Sequence, residues 1–195
     1  MTHNSVAVSE LRTALSQTAE WRFKMKVLFA TSEAYPFAMS GGLADVSGAL
    51  PKALRRRLIG CRIVMPMYSS IPESLKSKMN FICSITVPVS WRRQYCGIFE
   101  AHMDGVIYYF IDNQYYFKRD GLYGHYDDAE RFAFFSRAVL EIIPYIDFKP
   151  DIIHCNDWQT ALVPVYLNAF YRYDELYSKM KTVFTIHNIQ YQGKY

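Results

Sequence analysis

The sequence predicts an open, mainly parallel α/β sheet with helices on both faces. Short, continuously apolar runs recur along the 195-residue chain, as in MKVLFATS, CRIVMP, DIIHC and KTVFTIH. Strands buried on both faces read this way, whereas half-exposed strands alternate apolar and polar residues. Segments with helical apolar spacing separate several of the runs, the pattern of strand–helix–strand units. Clusters of glycine and polar residues stand directly behind the runs, where such sheets carry their ligand loops.

The elements follow in order. Met25 opens the first clear strand and is a candidate start of the protein. Residues 1–24 lack the apolar block of a secretory leader and carry Glu10 and Glu20. Val8, Leu11 and Leu15 would share one face of a weak helix, so a poorly ordered or weakly helical extension is expected ahead of a domain spanning 25–195. Apolar residues at 46, 49, 50, 53, 54 and 58 predict a helix over Val46–Leu58, with a kink or a lost backbone bond at Pro51. CRIVMP is a second buried strand. FICSITVPV, GIFEAHM and VIYYFID read as three more, the last two joined by Asp104-Gly105, a strong two-residue hairpin signal. An antiparallel portion is therefore expected.

The loop NQYYFKRDGLYGHYDD is too long for a simple connection and is a functional candidate. Asp127 or Asp128 is expected to cap the helix AERFAFFSRAVLEIIPYI, with Phe132, Phe135, Val139, Ile142 and Ile143 on its apolar face. DIIHC is a buried strand, Trp158–Tyr171 a helix, and KTVFTIH the last strand.

Composition narrows the function classes. A 51% hydrophobic, 21% charged chain is globular, and a net charge of +4 is too small to argue for nucleic acid. Arg55, Arg56 and Arg57 fall where a helix ends, and cations there suit the helix dipole. Cys61, Cys83, Cys96 and Cys155 form no CxxC pair and no metal-like cluster with histidine, so reduced thiols in a cytoplasmic protein are expected, with no metal. No apolar run reaches membrane-spanning length, so no membrane is expected as a partner.

Three segments close strands and should converge on one sheet edge: SGGLAD, HCNDWQ and HNIQYQG. In the first, Gly41 and Gly42 let backbone N–H groups approach a ligand, and the following helix start favours an anion. A tight strand-to-helix turn explains the same residues. The pattern is neither GxGxxG nor GxxxxGK[ST], and no cation stands beside the glycines: Met39 precedes them and the next lysine is Lys52. Spacing favours a helix cap for Asp45. In the second, Asp157 is either a cap for the helix at Trp158 or a contact for sugar hydroxyls, being the better exposed candidate. Trp158 is either cleft wall or core, and His154 reads as a buried structural histidine. In the third, His187 and Asn188 follow a buried strand. A histidine there can bond ligand oxygens or carry charge near a leaving group, or simply cap the loop.

Taken together, VLFATSEAYPF, SGGLADVSGALPKAL, YYFKRDGLYG, DDAERFAFFSRAVLE, PDIIHCNDWQTALVPVYL and KTVFTIHNIQYQG resemble, in order, the bacterial glycogen synthase and plant starch synthase family. The resemblance covers about residues 25–195. It implies a Rossmann-like sheet, the N-terminal half of a fold with two such domains facing across a cleft, the C-terminal domain being absent here. It implies a retaining transfer of glucose from ADP-glucose (or UDP-glucose) to the non-reducing end of an α-1,4-glucan. No cofactor is implied, ADP-glucose being a substrate, and this chain alone is expected to be inactive. Gly41, Gly42 and Asp45 match the donor-binding loop. His187 matches a histidine near the transferred glucose, with Asn188 beside it. Asp157 and Trp158 match a pair lining the cleft, and Asp157 is the local candidate for a catalytic carboxylate. Tyr115, Tyr116 and Phe117 are candidates for stacking on glucan. The family pattern is Lys-x-Gly-Gly-Leu, so Met39 stands at its lysine position. Met67 likewise stands where relatives usually carry lysine. A glucan-binding fragment and a diverged, inactive copy are the alternative readings.

Overall fold

A computed structural model describes residues 23–194; the expected helix around Val8, Leu11 and Leu15 lies outside them. Strands β1 (Met25–Ala30), β2 (Ile59–Pro66), β3 (Asn80–Val89), β4 (Arg92–Met103), β5 (Val106–Asp112), β6 (Ile152–Asn156) and β7 (Lys181–Thr185) form one sheet. Its order is β3-β4-β5-β2-β1-β6-β7. Strands β5, β2, β1, β6 and β7 run parallel, while β4 is antiparallel to both β5 and β3. The mainly parallel sheet and its antiparallel margin are therefore as expected. Val27–Ala30 of β1 are all buried, so successive side chains on both faces are covered.

Helix α1 (Gly42–Arg56) links β1 to β2, α2 (Asp128–Glu141) lies between β5 and β6, and α3 (Leu162–Tyr166) lies between β6 and β7. The step from β1 to β2 runs one way across the sheet, and those from β5 to β6 and β6 to β7 run the other. Right-handed crossovers then set α1 on one face and α2 with α3 on the other. The packing agrees: α1 lies on β2, while α2 and α3 touch each other.

Several local expectations shift. Helix α1 starts at Gly42 and runs through Pro51, and it buries Leu43, Ala44, Ser47, Gly48 and Pro51. The predicted stripe from Val46 to Leu58 is thus only partly buried, and small residues face the sheet instead. Asp104 and Gly105 both have positive φ, 50° and 76°, as the predicted hairpin turn requires. A second two-residue turn at Ser90-Trp91 carries β4 back to Arg92, five residues before the expected start at Gly97. The predicted helix Trp158–Tyr171 divides into a 3-10 turn (Trp158–Thr160), α3, and a π-helical turn (Leu167–Tyr171). Pro164 has no N–H for the carbonyl of Thr160, which separates the first two.

The long loop after β5 is folded rather than free. Asn113 caps the short helical turn Gln114–Phe117, its Oδ1 accepting from the Tyr116 amide at 3.1 Å. Tyr116 and Phe117 are fully buried, so they belong to the core and offer no face to a glucan. Arg131 of α2, itself buried, donates from Nε to the Tyr116 carbonyl (2.7 Å) and from Nη1 to the Leu122 carbonyl (3.1 Å). Neither Asp127 nor Asp128 caps α2 through its side chain. Asp127 pairs with Arg119 at 2.9 Å, and Asp128 accepts from the Gly124 amide at 2.7 Å and pairs with Arg131. Both carboxylates hold the preceding loop. Cys61, Cys96 and Cys155 are buried and unbridged, and burial pushes each thiol up to about 12.

Strand β7 is the far edge of the sheet. Val183 and Phe184, successive residues on opposite faces, remain 44% and 43% exposed.

Candidate functional site

Because β1, β6 and β7 are adjacent and parallel, their carboxyl ends lie side by side. The three polar segments therefore leave the sheet along one edge. The two from β6 and β7 are joined by direct hydrogen bonds.

Asp157, the residue after β6, has φ 56° and ψ 178°, a region that favours glycine. Its amide donates to the Thr185 carbonyl at 2.9 Å, drawing it towards β7. Its side chain does not cap the helical turn at Trp158. Instead Oδ1 accepts from the amide of His187 at 2.6 Å and from that of Asn188 at 3.3 Å. Asp157 is buried, which corrects the expectation that it is exposed to sugar hydroxyls. Its carboxylate holds the loop that carries His187. The Asn188 side chain closes a turn of its own, Oδ1 accepting from the Gln190 amide at 3.1 Å.

The His187 ring is exposed to solvent and held on one side only. Its Nε2 lies 2.9 Å from Oδ1 of Asn156. Asn156 is fully buried, and its Nδ2 donates to the carbonyls of Ala30 (2.9 Å) and His154 (3.1 Å). His154 is half-buried, edge-on to Phe29 at 4.8 Å, with Nε2 2.8 Å from the Thr185 hydroxyl. Burial, and then the charge of His187, hold its pKa below the ordinary histidine value. These contacts make His154 a structural histidine, in line with its position inside an apolar strand. Trp158 packs edge-on against Phe132 at 5.1 Å. Gly193 crosses the indole so closely that an added Cβ would meet it at 2.6 Å, and its φ is +61°.

The glycine segment is built differently. Gly41 occupies the N-cap position of α1 without a side-chain cap, so Asp45 is not the cap; it lies exposed in the first turn. Gly41 is extended, and a Cβ added at Gly41 or Gly42 would meet nothing within 4 Å. Neither backbone conformation nor packing against the protein calls for glycine here. Behind the loop, the buried Glu33 accepts from the amide of Ser40 and, at 3.1 Å, from its hydroxyl. Met39 is 61% exposed. Lys52, the nearest lysine along the chain, is paired with Asp104 at 2.6 Å.

Tyr123, from the long loop, reaches the same edge. Its hydroxyl lies 2.7 Å from that of Ser32, just after β1, and it packs on Phe132 at 5.9 Å. Burial first, then the Glu33 carboxylate, push its pKa well up, with Asp157 adding to the shift. Tyr123 thus stands between the first and second segments. Asn156, Glu33 and Tyr123 escaped the sequence reading. An asparagine ending a buried strand and a glutamate in an apolar stretch both demand hydrogen-bond partners, and that was the available signal.

Tyr115 alone of the three stacking candidates is exposed. With Gln94, Tyr95, Asp112, Asn113 and Gln114 it lines an open cavity of about 400 Å³. This cavity lies at the carboxyl end of β5, on the same edge, four strand positions from β7, roughly 19 Å away. Among the described residues, no group of three or more His, Cys, Asp or Glu side chains could hold a metal ion, and no helix is long and apolar enough to cross a membrane.

Comparison with known proteins bears on the family and the fold. The family model "Starch synthase catalytic domain" matches residues 26–195. The chain is similar to glycogen synthase of Geobacillus thermodenitrificans strain NG80-2, 62% identical over 169 residues, which are 87% of this chain and 35% of that protein. It is also similar to glycogen synthase of Clostridium botulinum strain Alaska E43, 59% identical over 170 residues, 87% of this chain and 36% of that one. Among solved structures, the catalytic domain of starch synthase IV from Arabidopsis thaliana, bound to ADP and acarbose, superposes with a TM-score of 0.81 at 34% identity, over 87% of this chain and 35% of that chain. The chain thus spans about a third of the length of these relatives. From the family match and the shared fold, the chain belongs to the starch synthase catalytic domain family.

Proposed function

We propose that the chain forms one wall of the site of a retaining glucosyltransferase, which moves glucose from ADP-glucose (or UDP-glucose) to the non-reducing end of an α-1,4-glucan. The remaining walls come from the polypeptide that its relatives carry beyond the matched third. The observation that carries this reading is the open glycine pair. Gly41 and Gly42 start α1 where nothing among the described residues needs glycine, yet close approach of a ligand does. A diphosphate there would meet the positive end of the helix dipole. The family membership and the ADP and acarbose bound by the Arabidopsis relative support the same assignment.

In such a transfer the phosphate leaves as the anomeric carbon becomes cation-like, and fixed dipoles stabilise both charges. His187 is the residue suited to contact the transferred sugar, because its ring is exposed at the edge while its backbone is tied down. Asp157 acts as a positioning residue: its Oδ1 is already engaged by two amides. Those two bonds make it an anchor for the loop that carries His187. No cofactor enters; ADP-glucose is substrate. A nucleotide-sugar held on one wall only lacks the alignment that accelerates the reaction. The test replaces the matching part of the Geobacillus protein with residues 26–194 and assays glucosyl transfer from ADP-glucose to glycogen. The hybrid is expected to transfer and the 195-residue chain alone to be inactive. A folded hybrid that binds ADP-glucose and glycogen without transfer would sink the assignment.

A second reading is favoured by the cavity at Tyr95 and Tyr115, where two half-exposed phenol rings flank four polar side chains. Such a surface suits a glucan strand. Retardation of the chain in glycogen-containing gels, lost in Tyr115→Ala, would support it; migration equal to an inert protein would remove it.

A further inference from the structure

We propose that Asn156 is a positioning residue that holds His187 as its Nε2–H tautomer, leaving Nδ1 as the acceptor that meets the ligand. The argument starts from the amide of Asn156. It is fully buried, and one of its two polar atoms lies 2.9 and 3.1 Å from two main-chain carbonyl oxygens, of Ala30 and His154. Carbonyl oxygens only accept, so that atom is the NH₂ group, and the reverse orientation would set an oxygen against two oxygens. The other atom, 2.9 Å from Nε2 of His187, is therefore the amide oxygen. An amide oxygen also only accepts, so Nε2 carries the proton.

The rest of the geometry removes the alternatives to this arrangement. The His187 backbone is fixed by its amide donating to Asp157 at 2.6 Å, so the ring starts from a set Cα position and its contact with Asn156 fixes the side-chain torsions. Ala30 ends β1 and His154 lies in β6, so the orientation of Asn156 is set by two neighbouring strands of the sheet rather than by a loop. Among the described residues, Nδ1 has no recorded protein partner, and the residue is exposed. In its neutral form His187 thus offers a lone pair at Nδ1. A lone pair accepts from a hydroxyl and repels a phosphate oxygen. Resting on the reading of His187 as a sugar contact, this assigns it a sugar hydroxyl as partner and leaves the diphosphate to the glycine loop.

The test is made on the ligand-free 195-residue chain, so it stands or falls independently of any transferase activity. The five histidines are labelled with ¹⁵N in their rings, and the His187 signals are identified by their loss in His187→Gln. Long-range ¹⁵N–¹H correlations above the titration range then report the tautomer. The expected result is a single Nε2–H form whose ring proton exchanges slowly with water. In Asn156→Ala the ring proton is expected to exchange at least tenfold faster, with the Nδ1–H form becoming detectable. If that variant does not fold, the wild-type spectrum decides alone: a slowly exchanging Nε2–H supports the proposal. An Nδ1–H form in the wild type, a freely exchanging ring proton, or a folded Asn156→Ala protein with unchanged signals overturns it.

Discussion

The two walls of the site are prepared in opposite ways. At the ends of β6 and β7, almost every polar group is committed within the protein: Asp157 to two amides, Asn156 to two carbonyls and an imidazole, His154 to Thr185. At the end of β1, Gly41 and Gly42 face open space and Met39 projects outward. The first wall is pre-set by contacts within the protein, and the second is left open. The contrast separates two kinds of strand end, one that fixes a histidine and one that leaves a helix start open.

The largest break in this contrast is expected from Met39→Lys in the hybrid enzyme. Met39 is exposed beside the glycine loop, where an ammonium would face the proposed diphosphate, and Lys52 is engaged by Asp104. A charged hydrogen bond to a charged partner is worth about 1.5–3 kcal/mol. Restoring an ammonium should therefore raise glucosyl transfer at least tenfold, and an unchanged rate would show that the open wall does not need it.

Next comes Asp157, where two effects oppose. Asp157→Ala removes the acceptor of two amides and leaves a side chain in a glycine-favouring conformation. We expect a loss of about 3 kcal/mol in denaturant titrations. Asp157→Gly relieves the backbone and should lose about 1 kcal/mol less. Equal losses would mean that the positive φ carries no strain. Gly193→Ala is expected to cost about 1–2 kcal/mol locally, because the new methyl must displace the Trp158 indole. A shifted indole N–H resonance of Trp158 reads it. Gly42→Ala should be the mildest for the fold: nothing lies within 4 Å, and alanine is the better helix former, so stability rises by up to ~1 kcal/mol. In the hybrid the same change should weaken ADP-glucose binding, and unchanged binding would return the glycines to the status of a plain turn.

Much of the frame was legible because buried strands advertise themselves. The runs at Val27, Ile63 and Ile153 are apolar on successive residues, and these residues are buried within the sheet. The Asp104-Gly105 turn was legible for the same kind of reason, since few residue pairs take positive φ at both positions. Ser90-Trp91 was not, because serine and tryptophan carry no such signature. The aspartates were misread in a consistent way. Spacing shows only a residue and the helix that follows it, so Asp127, Asp128 and Asp157 all looked like caps. Each is used instead on another segment, from Gly124, four residues away from Asp128, to His187, thirty away from Asp157. Tyr116 and Phe117 were read as stacking surface because the loop is polar overall, but the buried Arg131 folds that loop inward and takes both rings into the core. The convergence of three strand ends on one edge was legible, and the wiring through Asn156 was not.

The contrast between the walls is tested most directly by amide hydrogen exchange on the ligand-free chain. Donation of the His187 and Asn188 amides to Asp157 should slow their exchange well below that of the Gly42 amide at the open start of α1. Exchange of His187 and Asn188 as fast as that of Gly42 would contradict a pre-set wall.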